Sequence, residues 1–281
     1  MTLETVLPWI LGPVLAGTVL LWVYGTAYRM LGRRSLRRPP AEEPRWEDDP
    51  SYDPELAAGL AVGALRATRA GEPVNVLPRR CSRRHAWAEA ERLVKAEDPD
   101  MPVEDNLRAA LWAVLGGTAE VVRPALSAVE EVLRRRELAG PDLWRHALDE
   151  SASPAQRSLL HQVADAVERA EAELRGRGVL DPGERVPSVL AAQWADGVHL
   201  ARTGLRIGMM SGTAAATHVR RAGALAGRWY PSWRVLRAAV LLPDLLSVDR
   251  SAAEWGLRVT TRLAAAREPV LGAPEADGHR R

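Results

Sequence analysis

From Asp53 to about Ala266, apolar positions recur at spacings of three and four, interrupted by glycine, proline and small capping residues. The pattern predicts helices over 53–70, Ser82–Glu97, Pro102–Leu115 and from Thr118 to a stop at Gly140-Pro141. A short helix around Leu143–Leu148 follows, then one opened by Ser153-Pro154 and ended by Gly176 and Gly178. The last four fall at 187–201, 203–227, 231–248 and 250–267. The helix after Ser153 is the most clearly two-faced. Leu160, Val163, Val167, Ala170 and Leu174 alternate with charged positions. No window carries the period-two alternation of a half-buried strand, and no repeat recurs at a solenoid period.

The N-terminus follows a different pattern. Val6 to Tyr28 is 23 residues without a charged side chain. As a helix it would extend about 34 Å, slightly more than a hydrocarbon core. Trp9 lies near one end and Trp22, Tyr24 and Tyr28 near the other, where rings settle at headgroup level. A cleaved leader needs a basic start and a shorter apolar stretch, whereas the cations here come afterwards: Arg29, Arg33, Arg34, Arg37 and Arg38. The positive-inside rule places the following residues in the cytoplasm and the N-terminus outside. The expectation is a single-pass cell-membrane protein, with residues 1–31 as its transmembrane anchor. A lone Cys81 agrees with a reducing compartment.

Residues 32–52 read as a charged, proline-rich tether, with too few apolar groups to order themselves. Residues 268–281 read as a disordered tail. Charge divides the remainder. Residues 39–199 carry a net −9 and residues 200–281 a net +7, within a chain total of +2. This segregation suggests an acidic helical domain at 53–180 and a basic one at 187–267, joined through 175–187. All but one of the 38 cations are arginine and phenylalanine is absent, a skew of composition rather than a sign of nucleic-acid chemistry.

Two constellations stand out. Gly204, Gly208, Gly212 and Ala216 are spaced by four, so one continuous helix would align them as a stripe for close helix packing. The uncharged run there, 207–217, is too short to span a bilayer. Arg220, Arg221, Arg228, Arg234 and Arg237 are interleaved with Trp229 and Trp233. That combination suits an anionic lipid surface better than nucleic acid in a chain held at a membrane. The simpler reading is that this basic part docks on the acidic one.

Catalytic signals are weak. His161 with Asp165, and Asp196 with His199, each share a helix face, but the repeated Glu-x-x-His set of a di-metal bundle is missing. Asp48, Asp49 and Asp53 imitate a magnesium-binding aspartate cluster without the second half it needs. No metal or organic cofactor is expected. The fold class expected is all-α: a membrane helix, a tether and a cytoplasmic bundle. The function expected is that of an adaptor or assembly protein that binds a protein partner, or a second copy of itself, at the inner membrane face. Alternatives are a peripheral anionic-lipid module and a cryptic helical enzyme.

Overall fold

A computed structural model describes residues 41–48, 54–79, 81, 120, 122, 124–150, 153–248 and 250–266. These belong to one compact unit, Pro40–Arg281. They form helices α1 (Pro54–Val62), α2 (Ala64–Ala70), α3 (Ser127–Asp149), α4 (Pro154–Gly176), α5 (Leu190–Arg206), α6 (Gly212–Trp229), α7 (Trp233–Leu245) and α8 (Ser251–Ala266), with a 3-10 turn at Pro124–Leu126 before α3. There is no strand among the described residues, so the all-helical class holds for them. No described helix is long and apolar enough to cross a membrane. The expected span at 6–28, the arginines after it, the helices expected at Ser82–Glu97 and Pro102–Leu115 and the tail at 268–281 all lie outside the described residues.

The helix ends follow from local chemistry. Ser153, Ser211 and Ser232 each accept a hydrogen bond from the backbone N–H three residues on, capping α4, α6 and α7. The single helix expected over 203–227 is two helices. Gly208, at φ +80°, ends α5, and the backbone N–H groups of Met209 and Met210 both donate to the Gly204 carbonyl. Ser211 then caps α6 three residues later. Gly204, Gly208, Gly212 and Ala216 therefore do not share one helix. Gly208 and Gly212 touch nothing that a side chain there would displace.

A close helix crossing exists elsewhere. α1 lies on α6, and Gly59 and Gly223 meet at the contact. A Cβ on Gly59 would sit 1.9 Å from the Val219 carbonyl oxygen, and one on Gly223 would sit 2.6 Å from the Gly59 nitrogen. Both neighbours are backbone, which cannot swing aside. Gly63, at the bend between α1 and α2, lies against the Val198 side chain of α5, where a Cβ would come 2.3 Å from Val198 Cγ1. The helix expected over 53–70 is broken there. The bend in α3 is equally specific. Gly140 has φ +76° and ψ 176°, a conformation essentially limited to glycine, and it stops the first half of α3 where the Gly-Pro pair implies.

One core runs through both charge-segregated parts. Leu60, Leu133, Val167 and Leu174 share it with Trp194, Val219, Leu242 and Leu263. A smaller cluster of Val132, Trp144, Leu148, Leu160 and Ala164 closes the α3–α4 hairpin. The stretch expected as a break, 175–187, is built into the core: Val179, Leu180 and Val186 are buried. Replacing Gly223 with valine is expected to force α1 off α6 and lower stability by about 1–3 kcal/mol or more. Urea melts should show this, and an unchanged midpoint would contradict the close crossing.

Candidate functional site

The most concentrated chemistry among the described residues lies along one face of α5. Asp196, His199, Arg202, Thr203 and Arg206 recur at helical spacing toward α2 and the loop that follows it. Arg202 is 1% exposed. Its guanidinium donates from Nε to Glu72 Oε2 at 3.1 Å, from Nη1 to the Val76 carbonyl at 2.6 Å and from Nη2 to the Pro73 carbonyl at 2.6 Å. Arg206 Nη1 stands 2.7 Å from the other Glu72 oxygen, an ion pair rather than an aligned hydrogen bond. Two cations thus converge on one buried carboxylate. One turn earlier the arrangement inverts. Arg66 of α2 donates to Asp196 at 2.9 Å and lies 3.8 Å from Asp244 of α7. The pull of Asp196 holds the Arg66 guanidinium even more firmly in its charged form.

His199 sits between these two groups. Its Nδ1 is shielded from solvent and has no hydrogen-bond partner, and the Thr203 hydroxyl one turn on is in the same state. Burial lowers the affinity of the imidazole for a proton. Glu72 and Asp196 oppose that effect, and Arg66 and Arg202 reinforce it. The two carboxylates and two guanidiniums that act on the ring already balance, so an imidazolium there would be surplus charge.

A second polar system braces the connection from α4 to α5. Arg136 makes a paired contact with Glu171, at 3.0 and 2.8 Å, and donates to the Val186 carbonyl; Glu171 accepts from the Val186 N–H. Glu130 accepts from the Ser188 hydroxyl and the Val189 N–H at the start of α5. Burial pushes its carboxyl up, partly offset by these donors. The Tyr230 hydroxyl donates to the Ser188 carbonyl and accepts from the Ala191 N–H, while its ring meets Trp194 edge to face. Burial also pushes this phenol up.

Two of the five arginines singled out in the sequence, Arg228 and Arg234, meet acidic residues of the earlier part, and so does Arg250. Arg228 pairs with Glu120, Arg234 with Asp181 and Arg250 with Glu173. Trp229 and Trp233 are half-buried against the core, and Trp229 lies edge to face with Trp194. Arg221 is exposed, and Arg220 and Arg237 are half-buried. His161 pairs with Asp149 at 2.7 Å and Asp165 with Arg145 at 2.9 Å, both on the α3–α4 hairpin. They are therefore not gathered with Asp196 and His199 into one pocket. Among the described residues no group of three or more His, Cys, Asp or Glu is placed to hold a metal ion.

Composition misjudges one region. Residues 41–48 were expected to belong to a free tether, and they lie as an extended strap along the loop after α2 and along α8. The Val74 N–H donates to the Arg45 carbonyl at 2.8 Å. Asn75, almost fully buried, donates to the Glu47 carbonyl and accepts from the Glu47 N–H, both at 2.9 Å. Trp255 Nε1 donates to the Ala41 carbonyl, Arg262 to the Glu42 carbonyl and Arg258 to the Glu42 carboxylate. Trp46 packs on the core. The nearest signal in the sequence is this tryptophan, isolated among acids and prolines.

No family model, curated protein or solved structure matches the chain.

Two outcomes follow from the α5 cluster. Glu72→Gln leaves Arg202 buried without its counter-charge, and a loss of about 3–5 kcal/mol is expected in a denaturant melt. His199 gives a pH signature. An unfolded imidazole titrates near 6.5, and the folded one resists protonation to lower pH. The unfolded chain therefore binds the proton first as pH falls through that value, and the fold loses stability on the acid side. Melts from pH about 7.5 to about 5 should fall more steeply for wild type than for His199→Gln; parallel slopes would contradict it.

Proposed function

We propose that the protein is a membrane-anchored helical adaptor or assembly component, binding a protein partner or a second copy at the inner face of the membrane. The observation that supports this reading best is the pairing of its arginines with acidic residues of the same chain. Arg202 and Arg206 pair with Glu72, Arg228 with Glu120, Arg234 with Asp181, and Arg250 with Glu173. The basic part thereby meets the acidic part at several points, and two of the five arginines an anionic lipid surface would use, Arg228 and Arg234, already have acidic partners. A braced helical body with a held N-terminal strap suits a scaffold that presents a fixed outer surface. Confinement at a membrane would raise the local concentration of such a scaffold and its partner without any added contact. The anchor itself rests on the uncharged run at 6–28 and the arginines after it.

The test is fractionation of cells that produce the full chain, with protease added from outside and in-cell cross-linking. The expected result is membrane association released only by detergent, protection of the helical body, and a cross-linked protein whose recovery drops when residues 1–31 are removed. That shortened chain should keep its helical circular dichroism and a cooperative melt. Equal distribution between membrane and soluble fractions with and without residues 1–31 would overturn the reading.

A further inference from the structure

The strap is held in an unusual way for a linker. Five of its backbone groups are gripped: the carbonyls of Ala41, Glu42 and Arg45, and both the N–H and the carbonyl of Glu47. The donors and acceptors that grip them come from two rigid walls. One wall is the loop 72–76, pinned from behind by Arg202 through the Pro73 and Val76 carbonyls. The other is α8, where Trp255 is itself steadied by the Arg69 guanidinium, 5.5 Å from its ring centre. Asn75 is the most telling element. Its one side-chain amide answers both main-chain groups of a single residue, which recognises an extended backbone whatever the side chain.

Only two strap side chains are read. The Glu42 carboxylate meets Arg258 at 2.9 Å and Arg262 at 3.5 Å, and the Trp46 ring packs on the core. These two lie four residues apart, so in an extended chain they share a face. Backbone hydrogen bonds that supply affinity, with two side-chain positions that supply specificity, are the pattern of an extended-peptide site. A spacer of the same length needs neither.

We propose that the cleft between loop 72–76 and α8 is a peptide-binding groove. Its strap is an internal occupant, and the groove takes in exchange an extended segment of a partner protein with a carboxylate four residues before an aromatic ring. The identity of the occupant follows from the strap itself and from the charge of Arg258 and Arg262. The strap competes from a tethered position, at an effective concentration on the order of millimolar. A partner segment therefore enters when it binds better than the strap or when the strap is drawn away. Partner binding and the position of the segment next to the expected membrane stalk are thus coupled. This rests on the adaptor reading only in that the occupant belongs to a protein.

The experiment uses the purified full chain and a fluorescent peptide of residues 40–49 (PAEEPRWEDD), with a scrambled peptide of the same composition as control. Wild type should bind the peptide weakly, because the groove is filled. Glu42→Arg and Trp46→Ala, which loosen the strap, should each bind it at least about tenfold more tightly. Adding Asn75→Ala or Arg258→Glu should abolish the gain, and the scrambled peptide should not bind. Circular dichroism and melts establish that each variant folds. If Trp46→Ala does not, Glu42→Arg decides, because its side chain lies at the surface. No gain in a folded Glu42→Arg chain, or binding that survives Asn75→Ala, overturns the groove. Either result leaves the membrane and cross-linking outcomes untouched, so the two readings fail separately.

Discussion

The guanidinium of Arg202 joins two parts of the molecule that lie about 130 residues apart, α5 and the loop at 72–76. Its α5 backbone belongs to the central core, its Nε neutralises Glu72, and its two terminal nitrogens hold the carbonyls of Pro73 and Val76. Loop 72–76 has no secondary structure to hold its shape, so these bonds fix it. The loop in turn offers Val74 and Asn75 to the strap. A charge buried this deeply is costly without a partner and good geometry. Here both are present, and the result is a rigid surface for an extended chain where a mobile turn would otherwise lie.

The same logic recurs at Arg136. That side chain is buried with Glu171, and both address Val186 in the connection between α4 and α5. Opposite charges lie far apart in the sequence and close together in space. The acidic and basic parts are complementary surfaces of one body, and the stretch between them is a crossing stitched into the core. Such pairs add little net stability beyond what apolar residues of similar size would give. What they contribute here is placement: each guanidinium has a set of oxygens it must reach.

Close backbone contact has a separate origin. α1 and α6 approach because Gly59 and Gly223 present no side chain at their crossing, and Gly63 makes room at the α1–α2 bend for the Val198 side chain. The sequence contains a more regular series of small residues at 204–216, and the fold does not use it as a seam. Gly208 adopts a left-handed turn that ends a helix. Spacing alone does not distinguish a glycine that permits contact from one that permits a turn.

Several features were legible in the sequence because their causes are local. Helical class, the Ser153 cap of α4 and the stop at Gly140 each depend on residues within a turn or two. Candidate-site chemistry was legible only in fragments: Asp196 and His199 share a helix face by spacing, but nothing local couples them to Arg66 or Glu72, 130 residues from their partners. The strap was missed for the same reason. Residues 41–48 bury too little of their own surface to order themselves, and they are ordered by hydrogen bonds and a tryptophan pocket that only the assembled helices provide. The sequence by itself determined the helical class, the opening of α4, the stop at Gly140 and how charge is distributed. The tertiary structure decided which charges meet, which glycines touch and where the strap lies, because those depend on distances that close only when the chain has folded.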